Sequence, residues 1–266
     1  MAPKIEVQGL GKTFSVRGGG TFDALRDISF ALPEGDFLVV VGPSGCGKST
    51  LLDLLGGLTR PTSGRVLLDG AEITGPALDR GIVFQQYALL PWRTAQRNVE
   101  LGLEASGVPR RARAATAREY LQLVGLSGFE DRYPHELSGG MRQRVAIARS
   151  LAYDPGVLLM DEPFGALDAQ TRESLQQELL RIWERTGKTV VFITHDIDEA
   201  VYLGRRVAVM TARPGRIKRV VDIDLPVHDE AADPRSSPEF ARHRHEVWSL
   251  LRDEVAASRK EAVSVG

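Results

Sequence analysis

The chain has 266 residues and a formal net charge of −1, with 42% of its residues hydrophobic and 26% charged. Its length suits one large domain or one domain with an appendage, and its composition is that of an ordinary globular protein. The near-zero charge argues against a nucleic-acid partner, because proteins that bind nucleic acid usually carry a strong basic excess.

Membrane and secretion signals are missing from the sequence. No apolar run approaches the roughly 18 residues that a spanning helix needs, and the first residues, MAPKIEVQGL, lack the apolar stretch of a secretory signal. The single cysteine, Cys46, excludes an internal disulfide framework and fits a reducing compartment. We therefore expect a soluble, intracellular chain that would meet a membrane only through a partner.

The N-terminal part predicts short strands separated by turns. FDALRDISFAL (22–32) alternates roughly with period two, and RVLLDGAEI (65–73) follows a Ser-Gly turn. Between them, FLVVVG (37–42) is a continuous apolar run. A run without alternation predicts a strand that is buried on both faces, as in a parallel sheet.

Residues 42–50, GPSGCGKST, match the phosphate-loop pattern G-x-x-x-x-G-K-[ST] between that strand and the helical run LLDLLGGL. The glycines let successive backbone N–H groups converge on phosphate oxygens, and the helix adds its positive end. Lys48 should reach the β- and γ-phosphates, and the Ser49 hydroxyl should coordinate Mg²⁺. The alternative is a glycine-rich turn with a chance lysine. The predicted nucleotide contacts are Gly42, Pro43, Ser44, Gly45, Cys46, Gly47, Lys48, Ser49 and Thr50, although the Cys46 side chain is not needed there.

The stretch from about Thr94 to Asp154 predicts a small helical subdomain inserted into an α/β core. Within it, RRARAATAREYLQLVGL (110–126) places Tyr120, Leu121 and Val124 at helical spacing. At its end, LSGGMRQRVAIARSLAYDP (137–155) begins with a small, donor-rich turn at the start of a helix. Such a turn favours anions, and a second anion site in one domain is unexplained unless each site serves a different nucleotide.

Two later apolar runs also predict buried strands that end at polar residues. VLLM (157–160) precedes Asp161 and Glu162, and TVVFIT (189–194) precedes His195. Polar groups at the carboxyl ends of parallel strands predict ligand chemistry. Asp161 is suited to hold Mg²⁺ through its water shell, and Glu162 to polarise a water aimed at the γ-phosphate. The alternative for this Asp-Glu-Pro sequence is a helix N-cap.

The C-terminal tail predicts a loop after Arg219 followed by one helix. Ser237 is a plausible N-cap and Pro238 suits the first turn. One apolar stripe is expected along the helix, at Phe240, Val247, Leu251 and Val255. His243 and His245 lack a third metal ligand, so we expect them on a solvated face.

LSGGMRQR, together with GPSGCGKST and LLMDEP, closely resembles the signature, phosphate-loop and acidic-strand motifs of the ATP-binding cassette (ABC) family. The resemblance runs to about Arg219. It implies an α/β fold: a P-loop NTPase core with a parallel sheet, an N-terminal antiparallel β subdomain and an inserted helical subdomain. The implied boundaries are an ABC ATPase domain over 1–219, with the helical subdomain at about 94–154, and a loop-and-helix extension over 220–266.

The resemblance also implies a head-to-tail dimer in which the signature turn of one subunit, Ser138, Gly139 and Gly140, closes over the γ-phosphate held by Lys48 of the other. Gln85, rather than its neighbour Gln86, matches the family glutamine that touches Mg²⁺. Phe14 matches the aromatic residue that stacks on adenine, although such a phenylalanine is often a core residue. The implied ATPase uses ATP and Mg²⁺, with chemical roles for Glu162, His195, Gln85 and Lys48, metal contacts from Ser49, Gln85 and Asp161, and further nucleotide contacts from Phe14, Ser138, Gly139, Gly140 and Asp168.

One segment and one departure bear on coupling and packing. The segment QYALLPW (86–92) is unusually apolar, and the resemblance implies that it receives a helix of a membrane permease. The alternative is that Leu89 and Trp92 fill a subdomain boundary. Where the family pattern has a small residue and an aspartate before Arg206, this chain has Gly204-Arg205, which puts local packing or charge pairing in doubt.

Within the family, GIVFQQYALLPWRTAQRNVELGLE and TARPGRI most resemble the nitrate, sulfonate and taurine importers. This implies a peripheral protein on the cytoplasmic face of the membrane. Its implied partners are a second copy of itself, permease subunits and, indirectly, a solute-binding protein. A non-transport ABC ATPase of DNA repair or translation is the alternative, but the chain has one compact cassette and no heptad insertion. A P-loop kinase or GTPase does not account for LSGGMRQR.

Overall fold

The computed structural model describes residues 2–16, 18–225 and 233–264, with side chains described as far as residue 256. The chain divides into two compact units. The first comprises Met1–Pro76 with Val191–Gly266, and the second comprises Ala77–Val190. No helix in the described ranges combines the length and apolar character needed to cross a membrane.

The first unit contains a four-stranded antiparallel sheet formed by β1 (Ile5–Ser15), β2 (Thr21–Leu32), β4 (Ser63–Leu68) and β5 (Ala71–Glu72). Their order across the sheet is β2-β1-β4-β5. From Ile28 to Leu32 the strand β2 alternates with period two, with Ile28 and Leu32 buried, Phe30 half-buried and the residues between them exposed. Leu25 is also buried, and the left-handed Asp27 (φ 52°) interrupts the alternation between Leu25 and Ile28. The predicted N-terminal strands are therefore confirmed.

A second set of strands in this unit surrounds β3 (Phe37–Val41), all five residues of which are buried. Strand β9 (Arg206–Met210) pairs with β3 in parallel, and β10 (Ile217–Asp222) pairs with β9 antiparallel. On the other side of β3 lies β8 (Thr189–Ile193), which begins in the second unit and ends in the first. The continuous apolar runs are thus buried strands, as predicted. The helices of this part are α1 (Lys48–Leu55) and α6 (Ile197–Leu203).

The tail ends in α7 (Pro238–Ser264). As predicted, Ser237 caps this helix, because its Oγ accepts the Phe240 N–H at 3.1 Å. Strand β10 extends to Asp222, so the loop predicted after Arg219 begins three residues later; residues 226–232 of that loop lie outside the described residues.

The apolar stripe of α7 is confirmed at Phe240, Val247 and Leu251, which are buried, but the prediction is wrong for Val255, which is 37% exposed. It is also wrong for His243, which is buried with its Nε2 against the Asp224 carboxylate, whereas His245 is exposed as expected. His243 follows Phe240 by three residues and precedes Val247 by four, which places all three on one helix face.

The second unit pairs β6 (Arg80–Val83) with β7 (Val157–Asp161) in parallel. Between these strands lie α2 (Ala95–Ala105), α3 (Arg110–Leu123) and α4 (Gly139–Leu151), and α5 (Ala169–Thr186) follows β7. In α3 the apolar face is short, with Ala117 and Leu121 buried and Tyr120 half-buried. The helix predicted over this stretch is therefore confirmed.

Candidate functional site

The phosphate loop leaves β3 and enters α1 through two left-handed glycines. Gly45 has φ 73° and Gly47 has φ 102°, conformations that favour glycine. A Cβ on Gly47 would lie 2.6 Å from Leu25 Cδ2 and 2.9 Å from the Ala24 carbonyl oxygen. Any larger residue would therefore distort the cradle, and the glycine is required by both φ and space.

Lys48, the first residue of α1, is buried beneath this loop. Its Nζ donates hydrogen bonds to the carbonyl oxygens of Gly42, at 2.9 Å, and Pro43, at 3.2 Å. The ammonium group is thus held inside the loop, where it can meet phosphate oxygens. Ser49 is exposed on the first turn and Thr50 is half-buried.

Two other side chains shape the loop. Cys46 is buried, and burial raises the pKa of its thiol, which disfavours the reactive thiolate and fits a residue that packs under the loop. Arg213 donates from Nε to the Gly45 carbonyl at 2.7 Å, and its guanidinium carbon lies 5.0 Å from the centroid of the Phe22 ring. No pattern in the sequence points to this role of Arg213, whose segment TARPGRI is informative only as a resemblance to the importers.

His195 follows β8 and is exposed. It lines a pocket of about 620 Å³ together with Gly42, Pro43 and Ser44 of the phosphate loop. The structure therefore brings His195 and the phosphate loop together. The opposite wall of the pocket comes from α7, which the sequence did not predict to lie there; its contributing residues are Trp248, Leu251, Arg252, Val255 and Ala256.

Phe14 lies near the end of β1, opposite Phe22 of β2, and its side chain is 40% exposed. The interpretation of Phe14 as a core residue is therefore wrong. The ammonium of Lys12 lies 5.0 Å from the centroid of its ring. An exposed ring beside a cation provides a surface on which a planar, electron-rich group can stack.

In the second unit, β7 ends at Asp161, and both Asp161 and Glu162 are half-buried. Glu162 has φ 42°, a left-handed conformation that is uncommon for glutamate and is often found at functional sites. Helix α5 begins only at Ala169, and its cap is Asp168, whose Oδ1 accepts the Thr171 N–H at 3.0 Å. The helix-cap alternative for Asp161 and Glu162 is therefore wrong.

The signature turn, Ser138–Gly140, opens α4 as predicted. The Ser138 Oγ accepts the Met141 N–H at 3.2 Å and so caps the helix. A Cβ on Gly140 would lie 2.6 Å from Thr171 Cγ2, so this turn packs closely against the first turn of α5. The signature turn and Asp168 thus belong to one packed surface of the second unit.

Gln85 is exposed after β6, at the start of the segment 86–92. Leu89 and Leu90 in this segment are half-buried, whereas Trp92 is 72% exposed, so Trp92 does not fill a subdomain boundary. An exposed tryptophan beside apolar neighbours indicates a protein-binding surface.

The backbone of the segment 86–92 is fixed from within the same unit. Arg149 of α4 donates to the carbonyl oxygens of Tyr87, at 2.9 Å, and Ala88, at 2.6 Å, and burial lowers the pKa of its guanidinium. Asn98 accepts the Leu90 N–H at 2.8 Å and donates to the Arg93 carbonyl at 3.0 Å. No motif in the sequence points to Arg149 or Asn98. Both are polar residues buried within helices, and the spacing of apolar residues does not identify such positions.

At Gly204-Arg205, Gly204 fits the small residue of the family pattern, and the structure shows why a small residue is needed; the arginine at position 205 has no structural explanation. A Cβ on Gly204 would lie 2.8 Å from the Ala200 carbonyl oxygen, so the close approach requires glycine. Arg206 pairs through Nε with Asp36 Oδ2 at 3.0 Å. Arg206 thus has a carboxylate partner in Asp36 without an aspartate at position 205.

A phosphate loop between a buried parallel strand and a helix defines a nucleoside-triphosphate-binding protein of the P-loop class. The family model described as ABC transporter matches residues 25–165. Two solved dimeric ABC cassettes match the structure. One, in a post-hydrolysis state with ADP and phosphate, has a TM-score of 0.72 at 36% identity over 83% of this chain and 99% of its own. The second has a TM-score of 0.74 at 37% identity and the same coverage.

Curated relatives agree with this match along nearly the whole chain. An uncharacterised ABC transporter ATP-binding protein of Methanocaldococcus jannaschii is 55% identical over 98% of this chain and 96% of its own. The taurine import ATP-binding protein of Rhizobium johnstonii is 52% identical, with 90% and 92% covered, and the nitrate import ATP-binding protein of Synechocystis sp. is 49% identical, with 93% and 95% covered.

The chain belongs to the ABC transporter family, and it is an ATP-binding, ATP-hydrolysing subunit of that family. The resemblance and the α/β fold that it implied are confirmed. The relatives favour a transport ATPase over the DNA-repair or translation alternative.

Proposed function

We propose that this chain hydrolyses Mg-ATP between two copies of itself and thereby drives a membrane importer from the cytoplasmic side. The observation that carries the proposal is the phosphate loop, with its left-handed glycines, buried Lys48 and a pocket shared with His195. This arrangement concentrates donors and positive charge where a triphosphate would lie.

In this proposal the first unit binds the nucleotide. The loop N–H groups and Lys48 bind the phosphate oxygens, and the exposed ring of Phe14 stacks on adenine. Arg213 positions the loop through its hydrogen bond to Gly45. His195 contacts the γ-phosphate from the shared pocket.

Magnesium fits the oxygen donors of the predicted set. Ser49 offers a hydroxyl, Asp161 a carboxylate and Gln85 an amide oxygen, and Mg²⁺ prefers such hard ligands while keeping several waters. No described group of three or more His, Cys, Asp or Glu side chains suits a self-sufficient metal site. When bound, the ion would neutralise the charge on the β- and γ-phosphate oxygens.

Glu162 is the proposed general base. Its carboxylate orients a water and accepts a proton from it as the water oxygen attacks the γ-phosphorus. The bond from phosphorus to the ADP oxygen then breaks, and ADP leaves. The left-handed backbone of Glu162 would fix the direction of its side chain, and a positioned base typically accelerates a reaction about 10²–10⁴-fold.

A second copy would complete the site. We propose that Ser138, Gly139 and Gly140 of one copy bind the γ-phosphate held by Lys48 of the other, with Asp168 beside them at the interface. The dimeric state of the two solved cassettes supports this arrangement. Because one chain carries every motif, the simplest assembly is a homodimer with two working sites.

The segment 86–92 is the proposed docking site for a helix of a membrane permease, since Trp92 is exposed and Arg149 holds the backbone beside it. The chain would thus sit peripherally on the cytoplasmic face of the membrane. The names of the nitrate and taurine relatives support a small solute such as nitrate, a sulfonate or taurine as cargo. A solute-binding protein would deliver that solute to the permease.

The test is ATP turnover and ATP-dependent dimerisation of the wild type and Glu162→Gln. We expect turnover to fall about 10²–10⁴-fold in the variant, because the base is lost while the charge-neutral amide keeps the shape. The variant should also accumulate as an ATP-bound dimer in sedimentation velocity. Glu184→Gln, at an exposed position on α5, is the control and should match the wild type. Normal turnover by a monomeric Glu162→Gln protein would exclude both the base and the composite site.

A further inference from the structure

Helix α7 has a second stripe, distinct from the buried stripe that holds it to the first unit. Trp248, Arg252 and Val255 follow one another at spacings of four and three residues, so they share one helix face. Trp248 is 44% exposed and Val255 37% exposed. We call these three residues the outer stripe of α7.

The outer stripe is ordered by contacts along the helix itself. The guanidinium carbon of Arg252 lies 5.2 Å from the centroid of the Trp248 ring. The His245 ring also stacks on the Trp248 ring, with the two centroids 6.0 Å apart. Glu254, next to Val255, accepts the Ala212 N–H at 3.0 Å and pairs with Lys218 at 2.7 Å, which fixes this part of the helix. An exposed tryptophan that is held in place loses little side-chain entropy when a partner covers it.

The position of the outer stripe indicates what covers it. All three of its residues line the same pocket as Pro43, Ser44 and His195. In the proposed function, the signature turn of a second copy must reach Lys48 at this loop. A copy that closes over the loop therefore approaches the wall that α7 provides.

We propose that the outer stripe of α7 is a docking surface for a second copy of this chain, and that it extends the ATP-dependent dimer interface beyond the nucleotide. The inference rests on the proposed dimer. Tryptophan and arginine are among the residue types most enriched where interface energy is concentrated. Val255 would contribute an apolar contact to the buried centre of the interface. The tail thus strengthens the closed dimer instead of serving only as packing for its own unit.

The test uses Glu162→Gln as the parent protein, because it is expected to hold ATP without hydrolysing it. Val255→Asp and Trp248→Ser are introduced separately into this parent, and Val220→Asp is the matched control. Val220 is also 37% exposed and lies in the same unit, but on β10 and not among the residues lining the pocket. Sedimentation velocity measures the dimer dissociation constant in ATP, and titration with a fluorescent ATP analogue below the dimerising concentration measures nucleotide affinity. Thermal unfolding verifies that each variant is folded.

We expect the dimer dissociation constant to rise at least tenfold in Val255→Asp and in Trp248→Ser, with nucleotide affinity of the monomer unchanged and Val220→Asp within twofold of the parent. A parent that dimerises while both outer-stripe variants match the control would overturn the inference and leave the proposed function standing. Tighter dimers in the variants would show that α7 opposes dimer closure. Weaker nucleotide binding by the monomeric variants would assign the outer stripe to the nucleotide site. Either result would overturn the inference that the outer stripe binds a second copy. A parent that stays monomeric in ATP removes the proposed dimer itself.

Discussion

The phosphate loop and the signature turn both contain glycine and both lead into a helix, but among the described residues only the helix that follows the signature turn has a side-chain cap at its start. At α1 the N-cap is Gly47 with φ 102°, and no described side chain caps the helix. At α4 the N-cap is Ser138 with φ −65°, and its hydroxyl accepts the Met141 N–H. The first four N–H groups of a helix lack partners within it, so a start without a side-chain cap keeps more of them for a ligand.

This difference separates the two halves of the proposed site. The start of α1 is suited to hold phosphate by itself, because it has both free donors and the buried ammonium of Lys48. The start of α4 is already capped, and what Ser138 retains is its hydroxyl hydrogen, which can donate to an anion while the oxygen caps the helix. We therefore expect nucleotide binding to depend on the phosphate loop, and the signature turn to matter when a second copy is present.

Lys48→Met is the variant with the largest expected effect. It keeps an unbranched side chain beneath the loop but removes the charge that meets the phosphates. ATP turnover should fall at least about 10²-fold, as expected when a donor to developing charge is lost. A coupled ADP-release assay measures turnover, and a fluorescent ATP analogue measures the loss of affinity.

The control for this variant is Lys188→Met, which removes a lysine paired with Asp154 at 2.5 Å on the surface of the second unit. It should leave turnover unchanged, because Lys188 is half-buried outside the predicted nucleotide contacts and pairs with an exposed carboxylate, a kind of ion pair that contributes little. If Lys48→Met bound nucleotide as tightly as the wild type, the loop would hold phosphate through its backbone alone. The ammonium of Lys48 would then no longer distinguish the start of α1 from the start of α4.

Ser138→Ala separates capping from ligand binding at the second helix start. The loss of the cap should lower the free energy of unfolding by about 1 kcal/mol. The loss of the donor should also lower ATP turnover about tenfold or more, the usual scale for a hydrogen bond to a charged group. Urea unfolding and steady-state turnover measure the two effects.

Ser237→Ala is the matched control, since Ser237 caps α7 with the same kind of bond, from the Phe240 N–H at 3.1 Å. It should lose comparable stability and keep its turnover. If the two serine variants behaved alike in both measurements, Ser138 would be a structural cap only, and the signature turn would have to act through its glycines.

Features carried by consecutive residues were the predictable part of this fold and site. The buried strands β3, β7 and β8 were predicted because their apolar runs lack alternation, and the phosphate loop because its glycines and lysine are specified within nine residues. The cap at Ser237 followed from the same local logic. Such features need no knowledge of distant parts of the chain.

Contacts between distant segments were not predictable. Arg213 meets Gly45 across 168 positions of sequence, and Arg149 meets Ala88 across 61. The placement of α7 beside His195 depends in the same way on how the tail returns to the sheet. The prediction for His243 was wrong because a polar residue between two arginines was assigned to the solvated face, although its helical spacing from Phe240 and Val247 places it on the buried face. Its contact with Asp224, 19 positions away in sequence, was not predictable in this way.

Asp168 extends the comparison to a third helix start and has the smallest expected effect. Its carboxylate accepts the Thr171 N–H at the start of α5, and this bond holds the pKa of Asp168 below its ordinary value. A depressed pKa in the folded state means that the ionised form stabilises the protein at pH values above the pKa of the unfolded chain, about 3.9. That contribution is lost as the pH falls through the lower folded value. Asp168→Ala should therefore be less stable than the wild type at pH 7, and the difference should shrink below about pH 4.

Urea unfolding of Asp168→Ala, Ser138→Ala and the wild type at pH 7, 5 and 3 measures this difference. The serine cap is uncharged, so its contribution should be the same at all three pH values, whereas the contribution of the aspartate cap should disappear toward pH 3. A stability difference for Asp168→Ala that persisted unchanged at pH 3 would mean that Asp168 acts through packing and not through its charge. The contributions of the caps at the starts of α4 and α5 would then both be independent of pH. Helix α1 would be the one of the three compared whose first N–H groups remain available to phosphate.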